Sequence, residues 1–562
     1  MILSDRPTID AYRKEGVWGD QTLADIFRKT AARHPGRIAL CDPPDRVEFT
    51  NGGQRCLTYN ELARAVGLMA GRLRGLGLRQ DDVVAFQLPN TVEQVVVLLA
   101  AFETGMIVSP MPLPWRQHEM AAALDLVAPR ALIAMDRIAG YRPAAAAMDV
   151  AARQLSVRFV MGFGHDLPVE VERLDSVFEA TGLPATGYTG CGSADSVATV
   201  TWTCGGSTPV PIPRSHNQWI AAGLMVGLEA AVDDGATILA PYPLTGLVPT
   251  ATFLVPWLLS GGTLVLHHPF APDTFVEQMD RHRVSFTGLP PTVIEELADL
   301  DELAIGRRGC MACIWPGPTL PTHIPLMSGS SGGWPIIDIR AFGEVAFLAQ
   351  RRHGATPAAI PLGDVTFPTG RRGGVRLLQT RVKGRIMNNA TERHLLGGEL
   401  LVRSPMQPDS VYPTAADGQL TAPLRDPRGF APTGLRCRLD GGDQPAIEVL
   451  RSTNGVIWHG GLAISADELD RLYRRLGKVE DAAAFASTDP VLGDRIMAAV
   501  VPRPGATVTR DDLAAYLKAR KVAPYKVPEG VITVDAIPRD ADGRVLRDRL
   551  TGKALFSSLI PA

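Results

Sequence analysis

No apolar run in this chain is long enough to cross a bilayer; the longest stretches, such as residues 95–102, stop far short of the roughly 20 residues needed. A surplus of one charge is equally lacking, since 57 Lys+Arg face 59 Asp+Glu for a formal net charge of −2. That balance argues against a nucleic-acid binder working through a broad basic surface. The opening Met1-Ile2-Leu3-Ser4-Asp5-Arg6-Pro7 has no charged-then-apolar order, so no secretory leader is expected. Cysteine is sparse: Cys41, Cys56, Cys191, Cys204, Cys310, Cys313 and Cys437, an odd number at none of the usual spacings. A reduced, cytoplasmic compartment is the expectation. Cys310 and Cys313 form a CxxC, but no second CxxC or HxxxH follows. Both are expected to be small buried hydrophobes, and no metal site is expected.

The 562 residues, 46% hydrophobic and 21% charged, exceed what one core usually supports, so two or more domains are expected. From Leu57 the pattern alternates. Leu62, Ala65, Val66, Met69 and Leu73 repeat at helical spacing, and Val83-Val84-Ala85-Phe86 reads as a short buried strand. A helix to Phe102, a strand at 106–108, a helix at 117–127 and a strand at 131–134 follow. Such alternation predicts a parallel sheet faced by helices. The unit recurs between Thr237 and Phe286 as strand, helix (252–259), strand (262–266), helix (275–282) and strand. The pair His267-His268 is expected in a solvated turn. Beyond about residue 335, Gly, Pro and Arg become frequent and short β runs dominate. From about Ser452 an α+β texture returns, with helices at 467–476 and 511–519 and strands at 496–501 and 531–534.

A Ser/Thr/Gly cluster, Thr201-Trp202-Thr203-Cys204-Gly205-Gly206-Ser207-Thr208-Pro209, follows the β run 197–200. Glycine freedom and hydroxyl donors allow such a loop to turn its N–H groups toward phosphate oxygens, although many such clusters are plain loops. With the following Pro213-Arg214-Ser215-His216-Asn217, the segment resembles the phosphate loop of the adenylate-forming superfamily, which contains acyl-CoA synthetases, aryl-acid adenylating enzymes and luciferase. Further matches keep that family's order. They are Leu57-Thr58-Tyr59, Gly398-Glu399-Leu400-Leu401-Val402-Arg403, Thr433-Gly434, His459-Gly460-Gly461, Asp489-Pro490 through Arg495, Tyr525-Lys526-Val527-Pro528, and Gly543-Arg544.

The resemblance spans essentially the whole chain. It implies an α/β fold with a large N-terminal domain of stacked α/β subdomains plus a β-rich subdomain (1–450), and a small α+β C-terminal lid (451–562) hinged near residues 451–454. It implies a reaction in which a carboxylate attacks the α-phosphate of ATP and a thiol then displaces AMP. The ligands implied are ATP with Mg²⁺ and CoA or a pantetheine thiol. The partners implied are a small carboxylate or acyl-CoA and an acyl carrier protein.

By the same resemblance, Gly205, Gly206, Ser207, Thr208, Thr433 and Arg451 would bind nucleotide. Arg544 and Glu344 would be catalytic, and His216, Trp315, Gly317, Gly460 and Gly461 would line the acyl or thiol pocket. The pattern breaks at the nucleotide. Val210 falls near the phosphate-loop Lys, and Pro209 and Pro211 lack N–H donors. Leu435 follows Thr433-Gly434 where an Asp would accept the ribose hydroxyls, and Arg544 replaces the late Lys of the lid. The magnesium-associated Glu is matched by Glu344, two residues early, so its loop would be shortened. These changes converge on one ligand and leave three readings open. They are a ligase with impaired ATP use, a non-catalytic pseudo-ligase acting as a binding or scaffold protein, and an ATP-independent acyl transferase using a preactivated donor.

Overall fold

The structure is a computed structural model that describes residues 1–179, 192–205, 208–299, 309–317, 334–354, 356–367, 374–383, 398–413, 423–440, 445–452, 455–489 and 492–551. Two large sheets are built by the alternation read from the sequence. The seven-stranded sheet runs, across its width, Glu172–Arg173, Phe159–Phe163, Ala131–Met135, Val83–Gln87, Ile107–Pro110, Val197–Gly205 and Thr208–Ser215. All neighbours are parallel except the last pair. The eight-stranded sheet is parallel in its centre and antiparallel at both ends, where Ala346–Arg351 folds back on Ile336–Phe342 and Cys56–Thr58 on Ile38–Cys41. The sheets are therefore mixed rather than purely parallel. Turns as short as 343–345 allow only an antiparallel return.

One apolar core runs between these sheets. The helices Tyr59–Gly75, Val92–Thr104 and His216–Ala230 lie in it, and it continues into a six-stranded antiparallel sheet through Leu378, Leu400 and Leu435. The helix Val92–Thr104 is buried at every position. Its one acidic first-turn residue, Glu93, is matched there by Arg46 at 2.5 Å and Arg55 at 2.6 Å, as a buried charge requires. Helix His216–Ala230 approaches its neighbour so closely that a Cβ on Gly223 would stand 2.3 Å from Val255. The helix expected at 252–259 is a π turn, Thr250–Leu254, leading into an α-helix, Val255–Ser260.

A five-stranded sheet with helices Ala466–Arg474 and Arg510–Ala519 forms the C-terminal part and has its own apolar clusters. No helix among the described residues is long and apolar enough to cross a membrane.

Two expectations are corrected. Cys41 and Cys56, opposite each other on adjacent strands, form a disulfide, against the reduced state read from cysteine spacing. Only the register of the two strands brings these thiols together. His267 is fully buried rather than solvated, with Nδ1 2.7 Å from Gln278 Oε1 and Nε2 accepting the Ala271 N–H. Cys310 and Cys313 are buried, as expected, and burial pushes the Cys310 thiol up to about 12.

Candidate nucleotide and acyl site

Pro209, Pro211 and Pro213 occupy every second position of the strand Thr208–Ser215, which lies at the edge of its sheet. Proline cannot donate to a ladder, so this alternation turns the missing N–H groups to the open side and leaves the intervening residues to pair. The Pro211 carbonyl does point outward, where it accepts the Tyr412 N–H at 3.0 Å. Pairing continues to the tip, with Thr203 opposite Val210, Cys204 opposite Pro209 and Gly205 opposite Thr208. The segment expected to wrap phosphate is thus a hairpin joined through 206–207. Gly206 and Ser207 lie outside the described residues, while Gly205 ends one strand and Thr208 is exposed at the start of the other.

The strand is buried on both faces from Pro211 onward, and Arg214 there is fully buried. Its Nη1 lies 3.1 Å from Thr201 Oγ1 and 3.3 Å from Glu344 Oε2, and its Nη2 donates to the Glu344 carbonyl. Burial pulls the guanidinium below its usual value, and the Glu344 charge opposes that pull. Glu344 sits at the tip of the turn 343–345, where Gly343 takes a φ of +63°. Its carboxylate also accepts the Thr201 hydroxyl at 2.8 Å and the Leu247 N–H at 3.0 and 3.1 Å. The shortened loop therefore brings Glu344 to the base of the hairpin. Arg214 stands in the sequence motif without an assigned role.

Other residues expected at the site are used elsewhere. His216 Nδ1 accepts the Leu23 N–H at 3.3 Å, its ring meets Phe102 edge-on, and burial lowers its pKa to about 4. It is a packing residue, not a pocket residue. Trp315 packs with Leu239, Val265 and Phe275 and donates to Asp338 Oδ1 at 2.9 Å, so it faces core rather than pocket. Thr433 spends its hydroxyl on the Leu400 carbonyl at 2.8 Å and accepts the Leu435 N–H at 3.2 Å. Leu435, which follows Thr433-Gly434, is 2% exposed in the apolar core. Arg451 lies in the strand Ala446–Ser452 opposite Arg436. Arg544 is solvent-exposed in a turn, its N–H donating to Asp540 Oδ1 at 2.8 Å. None of its hydrogen bonds among the described residues reaches Glu344 or the hairpin.

Among the described residues the C-terminal part meets the body at several places, of which three bear on the site. Gly317 faces Trp458, to which an added Cβ would stand 3.5 Å. Gly460 and Gly461 form an exposed turn with φ of +55° and +80°, and the strand that follows, Leu462–Ser465, lies against Val197–Gly205. The third contact was not foreseen. Lys526 of the Tyr-Lys-Val-Pro motif is 5% exposed and reaches Glu468 at 2.6 Å and Glu119 of the body at 3.0 Å. Burial alone would depress this ammonium. The Tyr525 oxygen, Glu119 and Glu468 outweigh that and hold it above the ordinary lysine value. His118, Glu119 and Glu468 gather their donor atoms within 4.8 Å, a grouping that could take a metal, but Lys526 already sits on both carboxylates.

Residues 27–332 match the family model described as AMP-binding enzyme, and residues 468–544 match that of the AMP-binding enzyme C-terminal domain. The chain is 25% identical to a medium-chain fatty-acid–CoA ligase of Escherichia coli (strain K12), covering 95% of this chain and 91% of that protein. It is 26% identical to a salicylyl-CoA synthase/salicylate adenylyltransferase of a Streptomyces species, covering 97% and 96%. Among solved structures, o-succinylbenzoate CoA synthetase of Bacillus subtilis shares the fold, with a TM-score of 0.72 at 18% identity over 95% of this chain and 98% of that one.

Proposed function

The chain belongs to the AMP-binding enzyme family, and we propose that within it the protein handles a small carboxylic acid or its acyl thioester with impaired use of ATP. The observation that carries this reading is Leu435. In this family a carboxylate at that position accepts the ribose hydroxyls, and here an apolar side chain is sealed in the core instead. Losing a charged acceptor pair costs a nucleotide about 2–4 kcal/mol of binding. The described part of the hairpin supports the same reading, because Thr201 and Thr203 pair with Ile212 and Val210 across the ladder and Pro209 and Pro211 have no N–H. So does Arg544, which lies exposed at the place of the lid Lys. ATP with Mg²⁺ does not fit the residues present at Val210, Leu435 and Arg544.

The acyl and thiol side is less altered. Gly460 and Gly461 keep an exposed turn at the meeting of body and lid, divided at 450/451, with Gly317 half-buried against Trp458, and would admit CoA or the pantetheine arm of a carrier protein in the cytoplasm. A second reading, a non-catalytic binding protein, is favoured by the buried Lys526 contact that ties lid to body. Calorimetric titration with ATP·Mg, AMP, CoA and acyl-CoA, beside pyrophosphate exchange over a panel of carboxylic acids, tests both. The expected result is weak or no ATP binding with retained CoA or acyl-CoA binding. Tight ATP binding with exchange would overturn the proposal.

A further inference from the structure

We infer that the Arg214 guanidinium takes the place of a divalent cation and closes the Glu344 carboxylate to metal. The inference rests on the proposed reading in taking Glu344 as the residue that the family's spacing sets toward magnesium. A carboxylate offers about four lone-pair sites. On Glu344, Oε2 receives the Thr201 hydroxyl at 2.8 Å, the Arg214 Nη1 at 3.3 Å and the Leu247 N–H at 3.1 Å. Oε1 shares the Leu247 N–H at 3.0 Å, and its remaining side is backed by Gly246, where an added Cβ would stand 3.0 Å from it.

A magnesium ion needs near-octahedral oxygen ligands at about 2.0–2.1 Å. Placed on Oε2, it would lie within a few ångströms of a fixed guanidinium that cannot lose its proton, and like charges at that separation repel strongly away from bulk water. Arg214 cannot swing aside either. It is fully buried, its Nη2 is anchored on the Glu344 carbonyl, and it lies over the Trp219 ring at 5.3 Å. Its Nε is buried with no hydrogen-bond partner, so the arginine is held for its charge at Nη1 and Nη2 and not because every donor is satisfied.

The consequence is a charge exchange built into the chain. A single-charged organic cation, covalently fixed, neutralises the carboxylate where an exchangeable doubly charged ion would otherwise bridge it to phosphate. Removing the arginine without removing the carboxylate leaves a part-buried, uncompensated charge that a free cation can satisfy.

Mn²⁺ is the probe, read without nucleotide by electron paramagnetic resonance of the full chain and by its effect on the melting temperature. Wild type is expected to hold no Mn²⁺ that depends on Glu344, so Glu344→Gln leaves the protein-held signal unchanged. Arg214→Met is expected to melt lower, to gain at least tenfold in Mn²⁺ retention and to recover melting temperature in millimolar Mn²⁺. Adding Glu344→Gln to it should abolish both gains. Wild-type Mn²⁺ retention that Glu344→Gln removes overturns the inference, and so does an Arg214→Met protein that folds but gains none. Should Arg214→Met not fold, the wild-type against Glu344→Gln comparison decides alone. The proposed function fails separately, by tight ATP binding in calorimetry.

Discussion

The Lys526 ammonium stands between two carboxylates from different parts of the chain, 3.0 Å from Glu119 on the helix Gln117–Val127 and 2.6 Å from Glu468 on the helix Ala466–Arg474. Glu119 also accepts the Ala523 N–H, so a single body residue receives both the backbone and the side chain of the lid motif. Removing one member of a buried ion pair leaves the other uncompensated and costs about 3–5 kcal/mol. Lys526→Met should therefore lower the unfolding free energy by about that much in urea titration, and speed proteolysis of the C-terminal part. A pair of melts within experimental error would dispose of the latch.

The same lysine sets an alkaline limit. Its folded pKa lies above the ordinary lysine value, so its contribution is fully present below that value. It is lost as pH climbs from there through the elevated folded value. Wild type should therefore lose more stability than Lys526→Met between pH 10 and the alkaline end of the titration, about 10.4 being the ordinary lysine value. Parallel curves would speak against it.

On the acid side the informative group is His216. Burial lowers its pKa to about 4 from an ordinary 6.5, so the neutral ring stabilises the fold above pH 6.5 and that share is lost as pH falls toward 4. The full effect is about 3 kcal/mol, since each tenfold loss of proton affinity on folding is worth about 1.4 kcal/mol. His216→Gln should show a shallower loss of stability over that range. Equal slopes for the two proteins would refute the assignment.

Leu435→Asp would restore the acceptor that the family carries, yet the site around it is apolar core. An unpaired carboxylate there is expected to cost at least about 3 kcal/mol of stability and to leave ATP binding no stronger. A variant that folds normally and binds ATP tightly would show that a nucleotide site survives beneath the leucine.

Reduction should separate the two states of the segment between Cys41 and Cys56. The bridge spans 15 residues, for which chain entropy gives about 3 kcal/mol of stabilisation. Unfolded, unreduced protein should present two fewer thiols than reduced protein. Equal counts would remove the bridge, and an unchanged melting temperature in reductant would remove its contribution.

Periodicity carried the architecture far because the buried helices and strands are long enough to show it. The helix read at 117–127 is Gln117–Val127, and the strand read at 83–86 is Val83–Gln87. It failed where geometry is non-local. Nothing in the order of residues says that the edge strands return antiparallel, that a π turn interrupts Thr250–Leu254, or that Cys41 faces Cys56. The aromatic-Gly pair before it singled out Glu344, two residues early for the family spacing, but could not say what its carboxylate touches. That depends on Thr201, Arg214 and Leu247, each brought by a different element. His216 and Trp315 sit beside family motifs and still belong to packing, because closeness along the chain does not fix which face a side chain occupies.

The alternating prolines of the strand Thr208–Ser215 reach beyond ligand binding. An exposed sheet edge normally invites a second chain to add a strand, which is how native folds begin to aggregate. Here the edge offers no N–H groups at Pro209, Pro211 and Pro213; it is accessible at 208–210 and buried from Pro211 onward, where Tyr412 covers one carbonyl. An incoming strand would find acceptors without donors and would have to leave its own carbonyls unsatisfied. The prolines that leave the hairpin short of N–H donors thus also give an added strand no complete ladder at that border.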